Sequence, residues 1–454
     1  MSAEQVPLET PTLRSVLRGR RGGFLAALLL AEFAGAMQGI AYSTVLPVIA
    51  ADLDGFALFG ATLAAGSVAA VLMLSFAPGI LRRVSPQRLL LSATVLYVVG
   101  ALTAVFAPSM AWVLLGTVIR GTAAGLFGGF GMGAIGALFD ERERPRVFGL
   151  FALIWLLPSV VGPPLNALIA ESLGWRWAVG WPAVLVVVAR LLMGLTISTV
   201  PWERGSGHRV AVGFGLAVAA SLAVGAWGST VAGVAGSIAL VAGVVCGGAA
   251  IAGYLVRGLP AARGTVIAFA LLCATYFGAT ELLALTIVQG LGSSVLVASV
   301  AVTGGLLAWS LAGLRPRPDT RPDPATVGPV LVLAGVGAVI GGLAVGSGLG
   351  IALVIVGAVL AGAGMGAAYP LLSSEPFTTG APTSTVGSMI AFAETSATAW
   401  SALVAGGSYS ALHGSGWRPV PALQIGYALL ALLGIATVIV SARRRGTAFA
   451  ASGS

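Results

Sequence analysis

Five ionisable side chains fall inside long apolar segments of this chain: Glu32, Arg120, Arg190, Glu281 and Glu394. A charged group at the centre of a membrane-spanning helix costs roughly 2.5–3.5 kcal/mol on insertion scales, so each is expected to have a partner or a task. Hydrocarbon penalises the charged form of a carboxyl, which lets a buried carboxyl take up and release a proton near neutral pH. Glu32, Glu281 and Glu394 are therefore candidate protonation sites or counter-charges to a bound cation. Arg120 is the candidate cation that tunes a neighbouring acid. The plainer alternative is a permanently neutral carboxyl, or one paired with Arg120 to hold helices together. Arg190 lies nearer a helix end, where a long side chain can reach back to water.

The surrounding segments make these positions unusual. Hydrophobic residues make up 57 % of the 454 residues and charged ones 9 %, against about 25 % charged in soluble domains. Mean hydropathy is +1.00. Fourteen apolar segments run at 23–50, 56–77, 89–107, 111–138, 147–170, 177–199, 210–229, 231–255, 264–290, 292–313, 327–346, 348–371, 384–411 and 421–442. Each has the roughly twenty residues that a hydrocarbon layer of about 30 Å demands of a helix. None alternates with period two, which excludes barrel strands. The fold class is an all-α integral membrane protein.

Charge sorting sets the orientation. There is no lysine, and twenty of the 24 basic residues lie in alternate gaps or at the ends; the opposite gaps hold only Arg176 and Arg418. Positive residues near span ends stay on the cytoplasmic side. An even number of spans then puts both termini in the cytoplasm. The expected location is a bacterial cytoplasmic membrane, and the Ala/Gly/Arg-rich, lysine-free composition is typical of GC-rich bacteria. The net charge of +9 is explained by orientation, and no nucleic-acid partner is expected. Residues 1–22 are polar, and the apolar stretch after them is too long for a cleavable signal. Cys246 and Cys273 lie inside apolar segments and read as buried, unreactive thiols. His208 and His413 lack ligand-like neighbours, and no P-loop, HExxH or GxSxG is present, so no cofactor or metal is expected.

Internal duplication is faint. Gly121–Pro164 is a glycine-rich span, a loop and a second span, and Gly362–Gly407 repeats that order. The expected organisation is a tail at 1–22, a six-helix bundle at 23–199, a linker at 200–209, an inserted pair at 210–255, a second six-helix bundle at 264–442 and a tail at 443–454. Gly121, Gly125, Gly129 and Gly133 share one helix face, where missing side chains admit a neighbouring backbone. That face is a packing stripe or, beside Arg120, a sliding surface for gating. Trp155, Trp309, Trp400, Tyr276 and Tyr369 lie deep enough to line an apolar cavity. Trp112, Trp175, Trp177, Trp181, Trp202, Trp227 and Trp417 lie near span ends and read as interfacial anchors.

Several stretches resemble the major facilitator superfamily, specifically its fourteen-helix drug:proton antiporters. They are Ser43-Thr-Val-Leu-Pro-Val-Ile-Ala-Ala-Asp-Leu53, Gly116-Thr-Val-Ile-Arg-Gly-Thr-Ala-Ala-Gly125, Glu143-Arg-Pro-Arg-Val-Phe-Gly-Leu150, Gly162-Pro163 and Gly174-Trp-Arg-Trp177. The resemblance implies two six-helix bundles plus an inserted pair, alternating access driven by proton entry, and efflux of hydrophobic compounds. Gly162 and Pro163 match a fifth-span motif associated with exporters. Gln38 stands where such exporters usually carry an aspartate, and Glu32, six residues earlier, falls on a different helix face. Thr117 holds the family's arginine position, with Arg120 one turn away. Asn166-Ala167 replaces the usual glycine pair, and Arg82 stands nearest the place of a missing acid.

The expected function is a proton-coupled secondary active exporter, not an enzyme, working as a monomer on a small hydrophobic or amphipathic substrate within the lipid bilayer. Proton coupling or substrate binding would fall to Glu32, Gln38, Arg120, Glu281 and Glu394. Export of an endogenous lipid or secondary metabolite is the alternative. A membrane scaffold or intramembrane enzyme is more distant, since no gap exceeds about fifteen residues and membrane enzymes generally need catalytic residues or sizeable domains near the surface.

Overall fold

The structure, a computed structural model, describes residues 17–139, 143–196, 210–313, 323–381 and 383–452. Fourteen helices account for the apolar segments: α1 Gly19–Asp52, α2 Phe59–Arg83, α3 Pro86–Val105, α4 Met110–Leu138, α5 Arg144–Ser172, α6 Trp175–Thr196 and α7 Val210–Gly228. They continue with α8 Val234–Gly258, α9 Arg263–Glu281, α10 Val295–Gly313, α11 Pro324–Val345, α12 Ser347–Ser374, α13 Thr383–Ala402 and α14 Pro419–Ser452. A π turn at Thr286–Gly290 prolongs α9, and another at Leu403–Gly407 carries α13 on to Gly414. Among the described residues eleven helices are long and apolar enough to cross a membrane, with Val212–Gly228 a shorter apolar helix. The chain is a multi-pass membrane protein. Large apolar side chains such as Leu191, Leu195, Ile238 and Val241 lie exposed, as a lipid-facing surface requires.

Local chemistry explains several helix starts. Ser85 Oγ accepts from the Arg88 backbone N–H ahead of Pro86, and Asp323 Oδ1 accepts from that of Ala325 ahead of Pro324. Each supplies an acceptor for an otherwise unpaired donor of the first turn. Gly174, at φ +95°, turns the chain from α5 into α6 in a region that favours glycine.

In the first bundle α2 and α3 pack on α4, while α5 and α6 pack on α1. In the second, α10 and α11 pack on α12, while α13 and α14 pack on α9. Glycines repeat between the two. A Cβ on Gly121 of α4 would fall on the Gly66 carbonyl of α2, and one on Gly362 of α12 would fall on the Gly305 carbonyl of α10. Gly125 presses likewise on Ala70, and Gly366 on Trp309. The faint duplication in sequence is thus a duplicated backbone-on-backbone crossing. Gly129 and Gly133 lie on α4 outside the residues whose surroundings are described.

The bundles meet where α2 packs on α13 and α5 on α10. Among the described residues three hydrogen bonds join them at the end away from the arginine-rich gaps. Gly60 N donates to Ser410 Oγ at 2.9 Å, Ser410 Oγ donates to Phe56 O at 3.1 Å, and Leu296 N donates to Glu171 Oε1 at 3.2 Å. At the same end Trp175 Nε1 donates to Asp52 Oδ2 at 2.8 Å. Trp175 is therefore buried and bonded, not an interfacial anchor; Trp112, Trp177, Trp227 and Trp417 are exposed. Trp181 Nε1 donates to Asn166 Oδ1 at 2.9 Å, so the departure at Asn166 serves α5–α6 packing.

The Gly/Ala-rich stretch forms two helices, α7 and α8, that approach so closely that a Cβ on Gly243 would lie 2.5 Å from the Ser221 carbonyl. This pair packs on α2 and α13. Its Cys246 is exposed, contrary to the expectation of burial, while Cys273 on α9 is buried; both are free.

Candidate functional site

A cavity of about 450 Å³ lies among α1, α2, α3, α4, α6 and α9. Its α1 wall carries Glu32, Gly35, Gly39, Tyr42 and Leu46, a spacing of three and four that faces one side of a helix. A side chain at Gly35 or Gly39 would meet nothing within 4 Å, so these glycines leave the space open. Gln38 also borders the cavity. The separation of Glu32 and Gln38 around the helix does not keep them apart, because the cavity spans both flanks of this face.

Gln38 is held on both sides. Its Nε2 donates to Val179 O at 3.1 Å, and its Oε1 accepts from Tyr97 OH at 2.7 Å. It thereby ties α1 to α6 and α3, a structural clasp within the wall.

Arg120, on α4, is 8 % exposed. Its Nη2 donates to Thr117 Oγ1 at 3.1 Å, its Nε reaches Gly116 O at 3.4 Å, and its guanidinium carbon lies 3.8 Å from the Tyr42 ring centroid. The guanidinium thus folds back to Thr117, which lines the same cavity. Room for its stem comes from α3, where a Cβ on Gly100 would lie 2.8 Å from Arg120 Cγ. The ring face of Tyr42 offers the cation electrostatic attraction, which strengthens where water is excluded.

Arg190, expected to reach water at a helix end, does not. It is 5 % exposed, lines the cavity, and lies 4.6 Å from the Phe127 ring centroid and 5.2 Å from that of Tyr97. Its position in α6 resembled a snorkelling site only when counted along the helix; across the bundle it points inward. Tyr42, Tyr97 and Arg190 are the wall residues that the sequence did not single out together. Glu281 comes from α9 of the second bundle and reaches the same cavity, its Oε2 buried without a hydrogen-bond partner.

The structure therefore brings together Glu32, Gln38, Arg120 and Glu281. Glu394 on α13 is not among the wall residues. Tyr369 OH donates to its Oε2 at 3.0 Å, and its charge lies within electrostatic reach of Glu32. Tyr276, Trp309 and Tyr369 also stand apart from the cavity. They form an interlocked cluster with Phe269 and Phe277, ring centroids 5.2–5.9 Å apart. Flat rings at these distances fill space edge to face, which consumes the surface a cavity wall would need. Trp400 is elsewhere again: its Nε1 donates to Val244 O at 2.8 Å and its ring covers Gly248, docking α8 on α13. The side chain of Trp155 lies outside those described. On α5, Gly162 sits where a Cβ would lie 3.1 Å from Ile40 Cγ2, and Pro163 is buried beside it. These two shape the α5–α1 contact behind the cavity wall.

Comparison with known proteins agrees with this architecture. The chain is 23 % identical over 180 residues to the multidrug transporter protein MdtP of Bacillus subtilis, covering 39 % of this chain and 33 % of that one. It is 26 % identical over 238 residues to the MFS-type transporter ppz2 of Metarhizium majus, covering 49 % and 39 %. It is 27 % identical over 164 residues to a probable multidrug-efflux transporter, Rv1634, of Mycobacterium tuberculosis, covering 36 % and 33 %. The matches thus span between a third and two fifths of these relatives' lengths. Among solved structures, an auto-inhibited POT family peptide transporter superimposes with a TM-score of 0.66 at 16 % identity, over 92 % of this chain and 97 % of that one. A bacterial homologue of the human lysosomal transporter Spinster, inward-facing and occupied, gives 0.55 at 17 % identity over 96 % and 97 %. The family model of the Major Facilitator Superfamily matches residues 28–406, and the chain belongs to that superfamily of transporters.

Proposed function

We propose that this transporter is a proton-coupled secondary active exporter of hydrophobic or amphipathic compounds, working by alternating access. The observation that carries this reading is the convergence of Glu32, Arg120 and Glu281 on one cavity, to which the first bundle contributes most walls and the second contributes Glu281. Carboxyls that share a desolvated space with a fixed guanidinium can exchange protons while the two bundles rock about them. Glu32 and Glu281 are the proton carriers in this reading, with Glu394 behind them through Tyr369, and Arg120 sets the field they feel. Gly121, Gly125, Gly162 and Pro163 supply tight helix contacts along which the walls shift. The relatives described as multidrug transporters support export over uptake. The arginine-rich ends support a bacterial cytoplasmic membrane with both termini in the cytoplasm, and the chain works without a cofactor, as a monomer and not as an enzyme.

Everted vesicles acidified inside and offered cationic, neutral and anionic amphipathic dyes test this. The chain should accumulate at least one dye class, Glu281→Gln and Glu32→Gln should abolish gradient-driven accumulation, and both variants should retain dye binding. Accumulation indifferent to the imposed proton gradient would sink the coupling.

A second reading, export of an endogenous lipid or secondary metabolite, is favoured by one observation. The cavity holds two buried guanidiniums, Arg120 and Arg190, which suit an acidic natural product better than the cationic dyes typical of drug efflux.

A further inference from the structure

Arg190 is the buried cation that the proton chemistry leaves unused. Its Nε and Nη1 are buried without a hydrogen-bond partner. The rings of Phe127 and Tyr97 beside it, 4.6 Å and 5.2 Å from the guanidinium carbon, stabilise the charge but offer no lone pair in the guanidinium plane. Two donors of the planar fork, Nε and Nη1, are therefore positioned yet unsatisfied, on the wall of a cavity large enough for a substrate. Arg120 adds a second guanidinium, and Tyr97 lies within electrostatic reach of both cations. Neither arginine is ion-paired among the described residues. A guanidinium taken out of water recovers its lost solvation best from an oxyanion, which can accept two parallel N–H bonds.

The geometry points to an anion subsite in this cavity: Arg190 receives the carboxylate, sulfate or phosphate of an amphipathic substrate, and Arg120 supports it from the α4 wall. The apolar part of the substrate lies against Leu63, Val186 and Phe127, which belong to the lining. Glu32 and Glu281 share that lining, and in their protonated, neutral form they leave the field of the two guanidiniums open to an anion. This assignment rests on reading the cavity as the transport site, and it narrows the substrate to organic anions.

The test is equilibrium dialysis of the full chain in phosphatidylcholine nanodiscs with 2-naphthoate and two shape-matched controls, 2-naphthylmethanol and 2-naphthylmethylammonium. Naphthoate should bind roughly tenfold tighter than the alcohol, the size of a charge-assisted hydrogen bond to a buried partner. Arg190→Gln should erase that preference, so that naphthoate and the alcohol bind alike. Arg190→Lys, which keeps the charge but loses the fork, should retain part of it and serves where the glutamine variant does not fold. Equal binding of all three probes, or an undiminished preference in both variants, would overturn the subsite. Adding phosphatidylglycerol separates the sources of the anion. Displacement of naphthoate supports the subsite with a lipid headgroup as its occupant, and undisturbed preference supports it with a free solute. Because dialysis applies no gradient, a preserved preference with gradient-indifferent transport would refute the proton coupling alone. Intact proton-driven efflux without the preference would refute the subsite alone.

Discussion

The two bundles bury their polar groups in contrasting surroundings although their helix crossings repeat. In the first, Arg120 and Arg190 lie against tyrosine and phenylalanine faces around an open space. In the second, Glu394 is gripped by Tyr369 beside rings that leave little room. The shared part is the glycine crossing, Gly121 on Gly66 and Gly362 on Gly305. The crossing thus repeats while the space beside it differs, a wall with unsatisfied donors on one side and a filled core on the other. Like crossings need not carry like sites.

The shared crossing predicts the largest effects. Gly121→Val and Gly362→Val should each destabilise by at least about 3 kcal/mol, because a carbonyl occupies the place of the new Cβ and neither helix can yield cheaply. Gly128→Ala, whose Cβ would first meet Leu74 at 3.5 Å, should be tolerated. Thermal unfolding in nanodiscs reads both, and a mild Gly362→Val would break the symmetry of the crossings. The divergent part predicts unequal losses: Trp309→Ala should cost about 3 kcal/mol by opening a void in a packed cluster, and Phe127→Ala about half as much. Phe127 already borders open space, so equal losses would mean that the cavity is packed as tightly as the cluster. Smallest are the single hydrogen bonds. Gln38→Leu should cost about 2 kcal/mol by leaving two buried partners unpaired, and Tyr369→Phe about 1 kcal/mol. Hydrogen exchange should localise the first to α1, α3 and α6 and the second to α12 and α13.

Helix number and the candidate acids were legible because insertion of a charge into a twenty-residue apolar run stands out against its neighbours. Glu32, Arg120 and Glu281 were found that way, and the structure places them on one cavity. Their convergence was not legible, since it depends on how α1, α4 and α9 rotate about their axes. Glu394 shows the limit: by depth it equals Glu281, yet it turns toward Tyr369 instead of the cavity. Counted along α6, Arg190 lies near a helix end, which predicts a reach for water; the Phe127 and Tyr97 rings beside it come from other helices. Trp400 was placed in the cavity by depth alone, and the Val244 carbonyl that claims it belongs to the inserted pair. Asp52 and Trp175 lay in separate motifs of the resemblance, with nothing in the sequence to say that they bond.

The meeting of Gly60 and Gly406 has a practical consequence. Here main chain abuts main chain, and a Cβ on Gly60 would fall on the Gly406 carbonyl group. A single methyl at this point is a doorstop. Gly60→Ala should hold the bundles ajar at the end away from the arginines, and spin labels placed across that end should report a longer, narrower distance distribution. An unchanged distribution would mean that the joint yields elsewhere. Otherwise the smallest substitution available becomes a trap for a conformation open at that end.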